Sequence, residues 1–195
     1  MIVYLHGFSS GAASTKARFF QTALAPGPVV VPEYPTHRPH AAVAAVMSCI
    51  DTTLRQHGGQ RLMLIGSSLG GYYAQYLGAH LDAVDRVVLI NPALQPQQTL
   101  APYIGRNINM VTGQAFDFSR RDFEALAGYD LAPQVTPAPT LVLLDEGDEI
   151  IDYRFATERY RDAGRVIVYP GGSHRFEHLG EGAAQIKAFA GESSG

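Results

Sequence analysis

The sequence predicts an α/β fold of about six mostly parallel strands wrapped by helices, interrupted by a lid-like insertion. Three observations predict it. Short apolar runs alternate with longer helix-like segments along the 195 residues, the order expected of a parallel sheet with helical crossovers. The apolar runs are mostly uninterrupted rather than alternating with polar residues, as in strands covered on both faces. One connection, residues Asn91 to Pro139, is far longer than the others and carries prolines, glycines and aromatics. Loops of that length in a compact domain are usually lids or binding segments.

Taken in order, the first strand is expected at Ile2–Leu5, followed by a helix over Ser14–Leu24. A second strand at Pro28–Val31 precedes a helix over His40–Gln56. Cys49 falls in the apolar stretch Val46-Met47-Ser48-Cys49-Ile50 of that helix and is expected to be buried. A third strand at Arg61–Ile65 leads into a helix over Ser68–His80, and a fourth lies at Arg86–Ile90. The long insertion holds one helix near Arg120–Ala127. Strand Thr140–Leu144, helix Tyr153–Asp162, strand Arg165–Tyr169 and helix Glu181–Ala190 complete the alternation. Right-handed crossovers limit such a chain to a doubly wound sheet. Residues Gly191 to Gly195 read as a frayed tail, and the whole length 1–195 fits one domain.

Composition excludes several function classes. The net charge of −3 supplies no basic field for nucleic acid, and no Lys/Arg run supplies one locally. A single cysteine cannot close an intrachain disulfide, which favours a reducing, cytoplasmic setting. The opening Met1-Ile2-Val3-Tyr4-Leu5 is too short, and lacks the basic lead, for a secretory leader. No apolar run approaches the roughly 20 residues that span a bilayer. Histidines and carboxylates do not cluster at ligand spacing, so neither a metal nor another cofactor is expected. Oligomeric state is not encoded in any feature of the sequence.

The strongest local signal is Gly66-Ser67-Ser68-Leu69-Gly70-Gly71, between the third strand and its helix. That is the context of a nucleophile elbow, a sharp turn that lifts a serine above the sheet. A serine hydroxyl is a weak nucleophile and needs exposure, a fixed position and a base. Gly-x-Ser-x-Gly fits Gly66, Ser68 and Gly70; centring it on Ser67 puts Ile65 and Leu69 at the glycine positions. Ser68 is therefore the candidate nucleophile. The bland alternative is a glycine-rich turn without chemistry. A phosphate-binding loop fits poorly, since neither Gly-Lys-Ser/Thr nor Gly-x-Gly-x-x-Gly is present.

The partners follow from chain order. In the α/β-hydrolase fold the acid and then the base come after the nucleophile, on turns that follow later strands. His174, in Pro170-Gly171-Gly172-Ser173-His174, follows the last strand and is preferred over His178, which falls further on, towards the next helix. His37, His40, His57 and His80 lie on loops or helix ends. In Asp145-Glu146-Gly147-Asp148-Glu149, Asp145 is still at the strand end, Asp152 suits a helix N-cap, and Asp148 on the turn between them is the candidate acid. His6-Gly7-Phe8-Ser9-Ser10-Gly11 follows the first strand, where this fold draws one oxyanion-hole amide; that assigns the Phe8 and Leu69 N–H groups and leaves His6 as a support. Phe8 and Tyr72 are the candidate substrate-binding side chains. Apolar residues of the insertion, Tyr103, Ile104, Met110, Phe116, Phe118 and Phe123, divide between packing the lid down and walling an acyl pocket.

These stretches resemble the small bacterial α/β-hydrolases known as YqiA-like esterases. The resemblance rests on Tyr4-Leu5-His6-Gly7-Phe8, Ser14-x-Lys16-Ala17, Gly66-Ser67-Ser68-Leu69-Gly70-Gly71-Tyr72-Tyr73, Asn91-Pro92-Ala93, Thr112-Gly113-Gln114, Gly147-Asp148-Glu149 with Asp152-Tyr153, and Gly171-Gly172-x-His174-x-Phe176. It covers nearly the whole chain. It implies hydrolysis of small-molecule acyl esters, or of acyl thioesters, with Ser68, Asp148 and His174 as the triad. A non-catalytic ligand-binding protein on the same fold, a scaffold using the insertion to bind a partner, and a peptidase with the same triad are the competing readings.

Overall fold

The structure, a computed structural model, describes residues 1–58, 61–132, 135 and 138–192. Eight strands and seven α-helices are found among them. Strands β1 (Ile2–Leu5), β2 (Val29–Val30), β3 (Leu62–Ser67), β4 (Val84–Ile90), β7 (Thr140–Asp145) and β8 (Arg165–Tyr169) form one sheet in the order β2-β1-β3-β4-β7-β8. Every neighbouring pair in it is parallel. This is the α/β-hydrolase arrangement the alternation predicted, and β3, which leads into Ser68, lies inside the sheet rather than at an edge.

Strand periodicity builds two apolar layers. Val3, Leu5, Leu62, Leu64, Val87, Leu89, Val142 and Leu144 face one side, and Ile2, Tyr4, Met63, Ile65, Val88, Ile90, Leu141 and Leu143 the other. Alternate side chains on a pleated strand point to opposite faces, so an uninterrupted apolar run feeds both layers. Helices α2 (Pro39–Gln56), α3 (Leu69–His80) and α6 (Tyr153–Tyr160) cover the first face. Helices α1 (Thr15–Ala23) and α7 (Leu179–Gly191) cover the second.

Local chemistry sets the helix starts. The Ser14 hydroxyl accepts the Ala17 amide at 3.4 Å to open α1. Asp152, expected as an N-cap, accepts the Arg154 amide at 3.0 Å to open α6, and Pro39 occupies the first position of α2, where its missing N–H costs nothing. Cys49 departs from expectation: it is half-buried on α2, because it lies beside rather than on the stripe formed by Val43, Val46 and Ile50. Gly191 closes α7, while 193–195 of the expected tail lie outside the described residues.

The insertion is more ordered than its composition suggested. Short helices α4 (Pro96–Thr99) and α5 (Arg120–Ala125) flank an antiparallel hairpin, β5 (Gly105–Ile108) with β6 (Ala115–Phe118). The α-helix expected near Arg120–Ala127 stops at Ala125 and tightens into a 3₁₀ turn over Leu126–Tyr129. The Asn109 side-chain carbonyl accepts the Val111 and Thr112 amides at 2.9 and 3.0 Å, and Gly113 takes φ 72°, which folds the hairpin loop. Residues 133–134 and 136–137 of the predicted 91–139 segment lie outside the described residues.

Candidate active site

The elbow is formed as the glycine spacing requires. Ser68 sits at φ 54°, ψ −125° between β3 and α3, a backbone state that costs a non-glycine residue about 1–3 kcal/mol. The turn closes because its neighbours have no side chain. A Cβ on Gly66 would lie 2.3 Å from the Gly70 carbonyl oxygen, and one on Gly70 would lie 2.2 Å from that of Leu5. The second approach presses the start of α3 against the end of β1, which brings the loop after β1 onto the serine.

On the other side of Ser68, His174 Nε2 lies 3.0 Å from Ser68 Oγ. His174 Nδ1 lies 2.9 Å from Asp148 Oδ2 and 3.1 Å from Oδ1. The Asp148 side chain is 2% exposed, and its Oδ1 accepts the Ile150 and Ile151 amides at 2.9 and 2.8 Å. Three donors thus fix a carboxylate that has little contact with water. The His174 amide donates to Glu149 Oε2 at 2.9 Å, and this bond holds the Glu149 carboxyl below its usual range.

Two further groups brace the histidine turn. Asn91, at φ 40° after β4, accepts the Asp145 amide at 2.9 Å through Oδ1 and donates to the Ser173 carbonyl at 3.0 Å through Nδ2. Asp145, fully buried, accepts the Ser173 and Glu177 amides at 3.2 and 2.7 Å and faces His178 Nδ1 at 2.7 Å. Gly172 is obligatory there, since a Cβ on it would lie 2.0 Å from Asp145 Oδ2. Local sequence pattern gives no role to Asn91 or Glu149; an asparagine at the C-terminus of a strand is the available signal.

The structure brings Ser68, His174, Asp148, Phe8 and Leu69 together. The Phe8 amide makes no hydrogen bond among the described residues, and the Leu69 amide opens α3, where no intrahelical acceptor exists. His6 stands apart, 1% exposed, stacked on Tyr34 with ring centroids 4.4 Å apart; burial lowers its pKa. Tyr72 is not at the site. It is fully buried on α3, and its hydroxyl, with one proton to donate, lies 2.6 Å from both the Leu126 carbonyl oxygen and Asp130 Oδ1. One helical turn past Ser68, its ring points into the core that seats the insertion.

Two cavities open at Ser68. One, of about 500 Å³, is walled by Phe8, Leu100, Tyr103, Ile108, Met110 and Ile151. The Met110 amide donates to the Ser9 carbonyl and the Asn109 side-chain amide to that of Ser10, each at 2.8 Å, which pins the hairpin loop beside the site. Of the apolar residues expected in the lid, Tyr103 and Met110 reach this cavity, whereas Phe118 is buried and Ile104, Phe116 and Phe123 pack on the core. The other cavity, of about 570 Å³, is lined by Ser9, Ser10, Lys16, Arg175 and Glu177. Burial pulls the Lys16 pKa down to about 8, against the opposing pull of Asp148 and Asp145. Among the described residues no group of three or more His, Cys, Asp or Glu side chains is placed to hold a metal ion. No helix among them is long and apolar enough to cross a membrane.

A family model described as "Uncharacterised protein family (UPF0227)" matches residues 1–191. The chain belongs to this family. It is 26% identical over 192 residues to a UPF0227 protein of Serratia proteamaculans (strain 568), with 97% of this chain and 98% of that one covered. Among solved structures, this UPF0227 chain is similar to Est1E from Butyrivibrio proteoclasticus, at 16% identity and a TM-score of 0.75 over 97% of this chain and 86% of that one. Est1E has also been solved with ferulic acid bound. An esterase domain of a Rhodothermus marinus protein is similar at 16% identity and a TM-score of 0.71, with 97% and 85% of the two chains covered. At these identities the likeness is one of fold.

Proposed function

We propose that the chain is a serine esterase that hydrolyses acyl esters, with acyl thioesters open to the same chemistry, through an acyl-enzyme on Ser68. The observation that carries this reading is the line Ser68 Oγ, His174 Nε2, His174 Nδ1, Asp148 Oδ2, with separations of 3.0 and 2.9 Å. His174 Nε2 takes the Ser68 proton as Oγ attacks the ester carbonyl, and the Phe8 and Leu69 amides receive the oxyanion. Each such donor is worth about 10²–10³ in rate. Collapse of the tetrahedral intermediate breaks the bond to the alcohol, which leaves with the proton from His174. Water then repeats the cycle: His174 takes its proton, hydroxide attacks the acyl carbonyl, and Ser68 leaves reprotonated. Asp148 keeps the Nδ1–H tautomer in place.

The resemblance to YqiA-like esterases and the fold shared with a named esterase domain support an ester as substrate. Residues 1–195 are read as one α/β-hydrolase domain carrying the 91–139 insertion, and the lone Cys49 favours the cytoplasm. The test is labelling with a fluorophosphonate probe followed by peptide mass analysis. Wild type and Ser67→Ala are expected to carry the adduct at Ser68, and Ser68→Ala to lose both the adduct and ester hydrolysis while staying folded. A folded wild-type protein that takes no adduct and hydrolyses no ester would make this chain a ligand-binding member of the fold.

A further inference from the structure

Lys16 is an amine without a partner. It sits in the first turn of α1, half-buried, and lines the second cavity with Ser68 and His174. Among the described residues it makes no hydrogen bond and no ion pair. The nearby carboxylates are otherwise engaged: Asp148 by His174 and the Ile150 and Ile151 amides, Asp145 by His178 and the Ser173 and Glu177 amides. Partial burial lowers the Lys16 pKa in spite of the pull of Asp148 and Asp145, so a bound anion that restores the charged form has free energy to gain.

The other charges on the cavity do not answer it. Arg175 and Glu177, from the loop after β8, are exposed and opposite in sign. Among the described residues that line the apolar cavity, Arg106 is the one arginine or lysine, and it is exposed on the hairpin. A fully exposed arginine gains little from an added anion, whereas a half-buried lysine gains more. Both cavities thus reach Ser68, and the second differs from the first in holding Lys16.

Building on the esterase reading of Ser68, we infer that the Lys16 cavity is a subsite for an anionic group, a carboxylate or a phosphate, on the part of the ester that lies opposite the apolar chamber. The substrate class is then an ester with an apolar acyl chain and an acidic alcohol portion. Lys16 is a specificity-determining residue. It takes no part in the proton transfers between Ser68 and His174.

The butyrate esters of para-hydroxyphenylpropionic acid and of its primary amide have matched leaving groups and differ by one charge. Wild type is expected to favour the acid ester by about tenfold or more in kcat/KM, the scale of one charged hydrogen bond. In Lys16→Met and Lys16→Gln the ratio should fall to near one, whatever the absolute rates. The butyrate of para-hydroxyphenethyl phosphate tells which anion fits better. A wild-type ratio near one, or a preference that survives both substitutions, overturns the subsite. Binding of the free acid and its amide to Ser68→Ala, measured by calorimetry, keeps the inference separate from catalysis. If no ester is turned over and the fluorophosphonate leaves Ser68 unlabelled, the esterase reading fails. The subsite then stands only if the acid binds tighter than the amide and Lys16→Met removes the difference; equal binding overturns it.

Discussion

His178 Nδ1 lies 2.7 Å from Asp145 Oδ1, so the loop that delivers His174 to Ser68 contains a second histidine–aspartate pair. The two pairs do different work. Asp145 is fully buried and also accepts the Ser173 and Glu177 amides, which laces the loop to the end of β7. The ring of His178 stacks on Tyr169, with centroids 4.7 Å apart, and does not reach Ser68. His174 alone faces the serine.

Separate effects on rate and stability follow for the two aspartates. Asp148→Asn is expected to lower kcat by about 10⁴ by favouring the wrong histidine tautomer, beyond any loss of stability from weaker bonds to the Ile150 and Ile151 amides. Asp145→Asn is expected to lower stability by about 1–3 kcal/mol, because a buried acceptor of several hydrogen bonds is weakened. Denaturant unfolding beside ester turnover distinguishes them. Near-wild-type kcat in Asp148→Asn moves the acid elsewhere.

The close approach at Gly70 makes a stability prediction. An added methyl would lie 2.2 Å from the Leu5 carbonyl oxygen and 2.7 Å from that of His6, and backbone cannot yield as a flexible side chain can. Gly70→Ala should destabilise by about 3 kcal/mol, at the upper end of overpacking costs. Gly180→Ala, where a Cβ meets nothing within 4 Å, is the control. Equal unfolding midpoints for the two would contradict the packing at the elbow.

Acyl-chain length reads the apolar cavity. Each buried methylene contributes about 0.8 kcal/mol, so kcat/KM on a matched leaving group should climb about fourfold per carbon from acetate until about 500 Å³ is filled. Met110→Ser should shallow that slope. A flat or falling series rejects an apolar acyl chamber.

Lys16 predicts a rise in stability at alkaline pH. Its pKa is 10.5 when free and about 8 in the fold, so between these values the unfolded chain binds more protons. Stability then rises with pH across that window and carries the full penalty below it. The buried tyrosines Tyr4 and Tyr73 have pKa values raised by burial; they hold their protons in the fold and act oppositely above pH 10. The stability of Lys16→Met minus that of wild type isolates the lysine: it should be positive at pH 7 and shrink above pH 8. A difference that does not vary with pH would place Lys16 in water.

Much of this molecule was legible without coordinates because the signals are local. Strand runs such as Leu62–Ile65 need only their own apolar residues, and Gly66 and Gly70 place the elbow because the turn has no room for side chains. Chain order placed Asp148 and His174 on turns after β7 and β8, where the structure finds them. The β5–β6 hairpin was not legible: its four-residue strands Gly-Arg-Asn-Ile and Ala-Phe-Asp-Phe are short and largely exposed, so neither carries a burial period.

By itself, then, the sequence determined the sheet, the elbow and the order of Ser68, Asp148 and His174, since each depends on neighbours a few residues away. Only the tertiary structure decided which residues meet across long separations. It turned Tyr72 into the core towards Leu126 and Asp130, joined Asn91 to both Asp145 and Ser173, and left Lys16 lining a cavity with Ser68 and with no hydrogen bond or ion pair among the described residues. Such contacts depend on how layers stack and on which side chains desolvate one another, and no local pattern of residues encodes that.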